Sequence, residues 1–431
     1  MPHKNIVAGI DIGNSTVKTL IAEFKEGLAR PQILGLGFNQ SNGLRRGVVV
    51  DMAEAKKDIK SSVVEAQSSA GVKIKKAYVS ISGPHIRNQV SRGVIAVSRA
   101  DNEISEHDIQ RVLDAASTIS LPPNREIIHK IPKRFIVDGQ EFFKNPAGMT
   151  GIRLEADVMI IDALTPYLKG LAKAVNENDI EVAEFVYSPL ASAKATLNKR
   201  VKEHGALSLD LGGGLCHLAV FEEGELIHAA ALPIGSKNIT NDLAIAIKAS
   251  LDNAEKVKLE YGYVGHFGTG KKDNIDLSDL TEEENFMVSK KLIGEVISDR
   301  VSEIAEMVSE ELKKINPERI REGSQRASDS YGINRLKMLA GGLILSGGGA
   351  KLTGFTEYLK EKLKLPVRKI SSYEFDGLAN KINDPSWASA AGLVLWGIEK
   401  EFQSKEKRIF ENFDSEKTFK KLKDWFRIFL P

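Results

Sequence analysis

A strand ending in Asp-x-Gly, a tight glycine turn and a second strand running back occur twice in this chain. That repetition narrows the fold more than any other feature. One copy spans Ser208 to Phe221 and the other Ile10 to Phe24, and Asp210 and Gly212 have the spacing of Asp11 and Gly13. Gly212, Gly213 and Gly214 leave no Cβ in the way, so turn N–H groups can approach an anion closely. A carboxylate delivered beside such a turn supplies what a magnesium–phosphate pair needs, amides for the phosphate oxygens and an acid for the metal or its waters. One copy alone is equally an ordinary glycine-rich hairpin. Two copies far apart imply a duplicated unit with one nucleotide clamped between two lobes.

The chain has 431 residues, ample for several domains and a large core. Apolar residues make up 42% and charged residues 27%, as in a soluble globular protein. A net charge of +2 argues against a nucleic-acid partner. The single cysteine, Cys216, excludes an internal disulfide and fits a reducing compartment. No basic leader with an apolar stretch opens the sequence and no apolar run reaches the length of a membrane span, so neither a secretory signal nor a spanning helix is expected.

In chain order, residues 5–24 and 32–38 read as a strand meander, and Asp51 caps a helix over 52–70 that ends at Gly71. Residues 84–162 have their own strand–helix–strand order, including a helix over Ser105–Ser117 with Ser105 as cap and Asp108 in its first turn. Nothing in this segment suggests catalysis; it reads as a small α+β insert suited to protein contacts. A helix follows Thr165-Pro166, and Ser188 reads as the cap of another with Pro189 at its first position. Beyond the second hairpin, Gly235–Asp242 reads as the cap of a helix over 243–251. A further helix over 254–261 puts Glu255 and Lys258 three apart on one face. Residues 286–313 read as one long amphipathic helix, and 316–336 as an exposed loop. The third glycine cluster, Gly347, Gly348 and Gly349 inside Gly342–Gly354, lets backbone pass close to a flat ligand. Asp384–Gly392 opens a helix of small residues suited to close packing between domains, which is expected to end near Ile398.

After a charged linker over 399–416, Phe419, Leu422, Trp425, Phe426, Phe429 and Leu430 share one face of a terminal helix. Lys417, Lys420, Lys421, Lys423 and Arg427 lie elsewhere on it, against the one acid Asp424. This is the pattern of a helix lying in an anionic membrane surface, with Lys420 and Lys423 flanking the apolar contacts.

Two Asp-x-Gly hairpins, a Gly-Gly-Gly-Ala turn and a small-residue helix, in that order, resemble the actin/Hsp70/sugar-kinase ATPase superfamily. The insert, its stretch from Gly139 to Arg153 and the basic terminal helix are similar to FtsA, the bacterial actin-like cell-division family. The resemblance implies an α/β, actin-like two-lobed ATPase fold of duplicated RNase H-like domains, with an inserted α+β subdomain and a C-terminal amphipathic helix. The implied units are 1–83 with 163–200, the insert 84–162, 201–238 with 339–398, and a smaller subdomain at 239–338. The linker 399–416 and the helix 417–431 follow.

The resemblance also implies ATP and magnesium as ligands. Asp11 and Asp210 would serve the metal, directly or through water. Gly13, Asn14, Ser15, Thr16 and Lys18, with Gly212, Gly213, Gly214 and Leu215, would surround the phosphates. Glu255 and Lys258 would meet ribose and adenine, with Gly347 to Gly349 behind the base. The implied partners are the C-terminal tail of FtsZ at 239–338, further copies of the chain in a filament, other division proteins at the insert, and anionic lipid. The implied location is the cytoplasmic face of the inner membrane at the division septum.

Four positions depart from the family pattern. Leu215 and His217 stand where a threonine and an aspartate are usual, and Thr16 where a lysine is common, with Lys18 on the same strand face. Ser188 occupies the place of a water-positioning Glu or Gln, so the sequence predicts nucleotide binding with slow turnover at most. A PilM-like homologue of pilus assembly, a small-molecule kinase and a scaffold without nucleotide remain alternative readings at this stage.

Overall fold

The computed structural model describes residues 5–25, 30–142, 145–265, 274–278, 287–315 and 339–412. The expected loop at 316–336 and the expected membrane helix at 417–430 lie outside these residues.

Two sheets of one topology form the body of the molecule. In the first, Asn5–Ile12, Thr16–Phe24 and Gln32–Gln40 make an antiparallel meander. On its free side Asn5–Ile12 runs parallel to Lys76–Ile81, which runs parallel to Glu181–Tyr187. In the second sheet Ala206–Leu211, Cys216–Glu222 and Glu225–Leu232 repeat the meander. Ala206–Leu211 then runs parallel to Gly342–Ser346, and that strand to Val367–Lys369. A two-residue strand, Asp376–Gly377, extends the first sheet beside Gln32–Gln40. The duplication legible in the hairpins therefore extends to whole sheets.

Both sheets are covered on both faces, which is why their central strands are apolar almost throughout. In the first lobe Ala8, Ile10, Val17 and Ile21 face Ile59 and Val63 of the helix Met52–Ala70. Val7, Leu20, Ala22 and Phe24 point the other way, onto Ala391, Val394, Ile398 and Phe402 of the helix Ala388–Asn412. In the second lobe Leu207, Leu209 and Leu218 pack on Ile297, Val301 and Ile304 of the helix Lys290–Lys313. Ala219 and Phe221 turn toward Leu190 and Ala193 of the helix Ser188–Thr196.

The insert is a four-stranded antiparallel sheet, ordered Arg87–Ala96, Arg153–Leu164, Arg125–Val137 and Gln140–Phe142. Its helix Glu106–Ser117 starts at the expected Ser105 cap, which the structure completes as a capping box: Ser105 Oγ accepts from Asp108 N while Ser105 N donates to the Asp108 carboxylate. Ser105 and Ser98 hydroxyls also donate to that carboxylate and hold it well below the usual range. On the opposite face Met159 and Ile161 join the second lobe's apolar cluster. The insert thus rests against both lobes.

Four local expectations are corrected. The helix expected at 243–251 is Ser236–Ile247, because Asn238 Oδ1 accepts from Gly235 N and starts the helix early. Lys248, in the left-handed region at φ 54°, ends it. Ser250 then caps Leu251–Tyr261. Ser188 does not cap its helix: it sits in the first turn and its hydroxyl donates to Ile81 O at 3.2 Å. Residues Met287–Ser289 form a strand before the long helix begins at Lys290. The helix expected to end near Ile398 continues to Asn412, through much of the stretch read as linker.

The helices Ser188–Thr196 and Ala388–Asn412 cross where the lobes join, and their small residues make that crossing possible. A Cβ on Gly392 would stand 1.7 Å from Ala191 O, backbone that cannot yield cheaply. Gly392→Val should therefore cost about 3 kcal/mol or more, at the upper end of overpacking effects. Urea unfolding followed by circular dichroism measures this; a loss below about 0.5 kcal/mol would mean the crossing is loose.

Candidate functional site

The two Asp-x-Gly turns close alike. Gly13 N donates to Thr16 O at 3.0 Å, and Gly212 N donates to Leu215 O at 3.0 Å. They also abut: a Cβ on Gly213 would meet Ser15 Oγ at 1.9 Å, and one on Gly214 would meet Asn14 Nδ2 at 2.9 Å. A side chain at either position would have to displace Ser15 or Asn14. Lys237 Nζ donates to Asn14 O at 2.8 Å and ties the lobes together beside this contact.

Between the turns lies a cleft of about 990 Å³ with Asp11, Lys18 and Asp210 on its wall. Removal from water and then the Asp11 carboxylate push Asp210 up to about 7, against Lys18 and a hydrogen bond from Ser346. That bond, Ser346 Oγ to Asp210 Oδ2, is 3.2 Å long. Asp11 is raised by removal from water, with Lys18 and a bond from Ser80 opposing. Lys18 is lowered by burial, although Asp11, Asp210 and Asp384 favour its charge. Its ammonium donates to Ser386 O at 2.8 Å and lies 5.7 Å over the Trp387 ring. Two acids that disfavour each other's charge at the mouth of amide-rich turns form a donor set suited to a divalent cation. Among the described residues no group of three or more His, Cys, Asp or Glu side chains could hold a metal. A cation here would need further oxygens from its ligand, as phosphate provides.

At the other end of the cleft, Lys258 Nζ donates to Glu255 Oε2 at 2.6 Å and to Thr240 Oγ1 at 2.9 Å. Lys258 is buried, while the side chain of Glu255 stays 41% exposed. Gly347 has φ +86°, and a Cβ there would meet Leu211 O at 2.4 Å; Gly348 faces open space. This bare backbone, with Ile239, Leu259 and Leu352, lines an apolar end.

The cleft gathers Asp11, Gly13, Asn14, Ser15, Thr16, Lys18, Asp210, Gly212, Gly213, Leu215, Glu255, Lys258, Gly347, Gly348 and Gly349. Gly214 is not on its wall; it packs against Asn14 instead. The expected lipid-facing residues, Phe419 to Leu430, lie outside the described residues. Sequence reading missed Ser80, Ser82, Ser346 and the Asp384–Ser386–Trp387 turn as parts of the site. Ser80 and Ser82 alternate at the end of an apolar strand, a pattern that could have marked them. Ser346 precedes a glycine cluster that had drawn attention to itself.

Duplicated sheets closing on such a cleft define the actin-like ATPase fold. The PilM-PilN type IV pilus biogenesis complex contains a chain of this fold, with a TM-score of 0.63 at 18% identity over 91% of this chain and 98% of that one. The sequence model of the SHS2 domain inserted in FTSA matches residues 83–162, and that of cell division protein FtsA matches 207–392. Cell division protein FtsA of Borreliella burgdorferi is 32% identical over 98% of both chains. Its counterpart in Pseudomonas aeruginosa is 31% identical over 92% of this chain and 90% of the relative. The chain belongs to the FtsA family of actin-like cell division proteins.

Asp210 also gives the site a pH signature. Between the ordinary carboxylate range, near 4, and about 7, the folded chain keeps a proton that the unfolded chain has released. The native state binds more protons there, so this group's contribution to stability falls as pH rises through that window. In metal-free buffer Asp210→Asn should therefore gain in Tm relative to the wild type as pH rises from about 4 to about 8. Calorimetric melting of both proteins across that range is the check; parallel curves would mean Asp210 ionises freely.

Proposed function

We propose that the cleft binds magnesium–ATP and that the loaded chain polymerises on the cytoplasmic membrane to tether FtsZ and other division proteins. The observation that carries this reading is the convergence of Asp11, Lys18 and Asp210, from two duplicated lobes, on one amide-rich cavity. Asp11 and Asp210 would hold the metal, Lys18 and the turns Gly13–Thr16 and Gly212–Leu215 the phosphates. The Glu255–Lys258 pair and Gly347–Gly349 would hold the nucleoside. Removing one charged contact to such a ligand typically costs about 1.5–3 kcal/mol. Lys18→Ala should therefore weaken magnesium–ATP binding by about tenfold to a hundredfold in a calorimetric titration. Unchanged affinity would place the phosphates elsewhere.

Nucleotide would act mainly as a structural ligand that closes the lobes. The Ser188 hydroxyl is bonded to Ile81 O, and Leu215 is an apolar buried side chain. Neither offers a carboxylate or amide to orient an attacking water. Phosphate release should stay far below the usual enzymic range, which begins near 1 per second; a rate inside it would refute this part.

Among the described residues no helix is long and apolar enough to cross a membrane. The helix Ala388–Asn412 carries the chain toward the amphipathic stretch 417–430. That stretch would bind lipid reversibly, each Lys or Arg adding about 1 kcal/mol at an anionic surface, and a filament would multiply it by avidity. The tail of FtsZ would dock at 239–338 and other division proteins at the insert. Trp425→Glu should release the protein from anionic liposomes in co-sedimentation while magnesium–ATP still binds. Loss of both would contradict separate anchoring and nucleotide units.

A further inference from the structure

His217 follows the second turn and stands on the cleft wall. Its Nε2 lies 2.9 Å from Ser82 Oγ. Its Nδ1 is buried, has no hydrogen-bond partner, and faces Asp210 Oδ1 across 3.8 Å. That gap is too long for a hydrogen bond, yet a buried polar atom without a partner is costly and rare. Burial keeps the ring neutral at physiological pH, so it carries one proton. Once Asp210 is ionised, as a bound cation demands, a lone pair on Nδ1 would face carboxylate oxygen and repel it. With the proton on Nδ1, Ser82 donates to Nε2 and both neighbours are satisfied in sign.

Ser82 is also the last residue before the insert's first connection, Gly83-Pro84-His85. That connection is itself unrelieved: Gly83 sits at φ +141°, and both ring nitrogens of His85 are buried without partners. Arg125, whose guanidinium pairs with Asp162 at the insert's other connection, donates to His85 O at 2.8 Å. Buried ring nitrogens without hydrogen-bond partners thus lie along one path, from Asp210 through His217 and Ser82 to both connections of the insert.

We infer that His217 is a positioning residue for Asp210, its Nδ1–H closing onto that carboxylate when the cleft is loaded, and that its bond to Ser82 carries occupancy of the cleft to the insert. The inference rests on the nucleotide reading above. It assigns to this histidine a role in aiming the metal-side acid rather than in hydrolysis.

The test uses the full chain, calorimetric titrations of ATP with and without magnesium, and hydrogen exchange of the segment 83–97. Asn at position 217 puts an amide near Nδ1 but cannot reach Ser82; Gln reaches Ser82 but abandons Asp210. His217→Gln should weaken binding about tenfold with magnesium and no more than about twofold without it. His217→Asn should recover most of that loss, ending within about threefold of the wild type, yet no longer pass protection to residues 83–97. Ser82→Ala should likewise lose that protection. A misfolded His217→Gln chain would lose affinity with and without magnesium alike, so the magnesium-selective loss separates positioning from misfolding. Magnesium-dependent affinity unchanged in His217→Gln would overturn the positioning role, and protection retained in both His217→Asn and Ser82→Ala would overturn the relay. A wild-type chain that takes up no nucleotide would overturn the nucleotide reading and this inference with it.

Discussion

Two carboxylates and one ammonium, drawn out of water at the meeting line of two duplicated sheets, set the terms for the rest of the molecule. Asp11 raises Asp210, and Lys18 relieves both without neutralising the set. Such an arrangement is unfavourable by itself, because each acid loses hydration and then faces another acid. The surrounding sheets over-determine it: each acid ends a strand buried on both sides, so neither can retreat from the cleft without disturbing a packed core. That is the logic by which local cost is held at a functional site by structure elsewhere.

The contact between lobes follows from the same constraint. Ser15 fills the space a Gly213 side chain would need, Asn14 presses on Gly214, and Lys237 reaches back to Asn14 O. At the far side Gly392 seats on Ala191. Glycine at these points serves close approach rather than flexibility, and it lets the lobes meet both at the turns and at the helix crossing. A ligand bound by both lobes would add to these contacts, by an amount that grows with the logarithm of its concentration over its dissociation constant.

The sequence revealed the parts of this design that are written in backbone chemistry. The Asp-x-Gly turns, the Ser105 cap and the small residues of the Asp384–Gly392 stretch could be read because each imposes a local requirement that few residue types meet. Elements decided by distant partners were not legible. Ser188 has the form of a helix cap, but Ile81 O, from another strand, takes its hydroxyl. The Ser82–His217 bond joins residues 135 positions apart, and no local pattern encodes such a register. The helix start at Ser236 was missed for a different reason: Gly235 and Asn238 are a weak cap by composition, and only the extended Gly235 backbone makes it effective.

The position of His217 bears on how a chain that hydrolysed slowly, as proposed above, would still respond to nucleotide. An aspartate there would add a third acid beside Asp210 and Asp11, strengthening a cation site but raising the cost of the empty cleft. A neutral imidazole lowers that cost, and it has two faces where a carboxylate has one function. One face meets Ser82 and the other waits opposite Asp210. On the nucleotide reading, filling the cleft then changes the balance of a hydrogen-bonded chain that ends at the insert, without any bond in the nucleotide being broken. Such a chain needs only differential interaction between two states to transmit a signal. The buried nitrogens of His85, without hydrogen-bond partners, lie at the insert end of that chain.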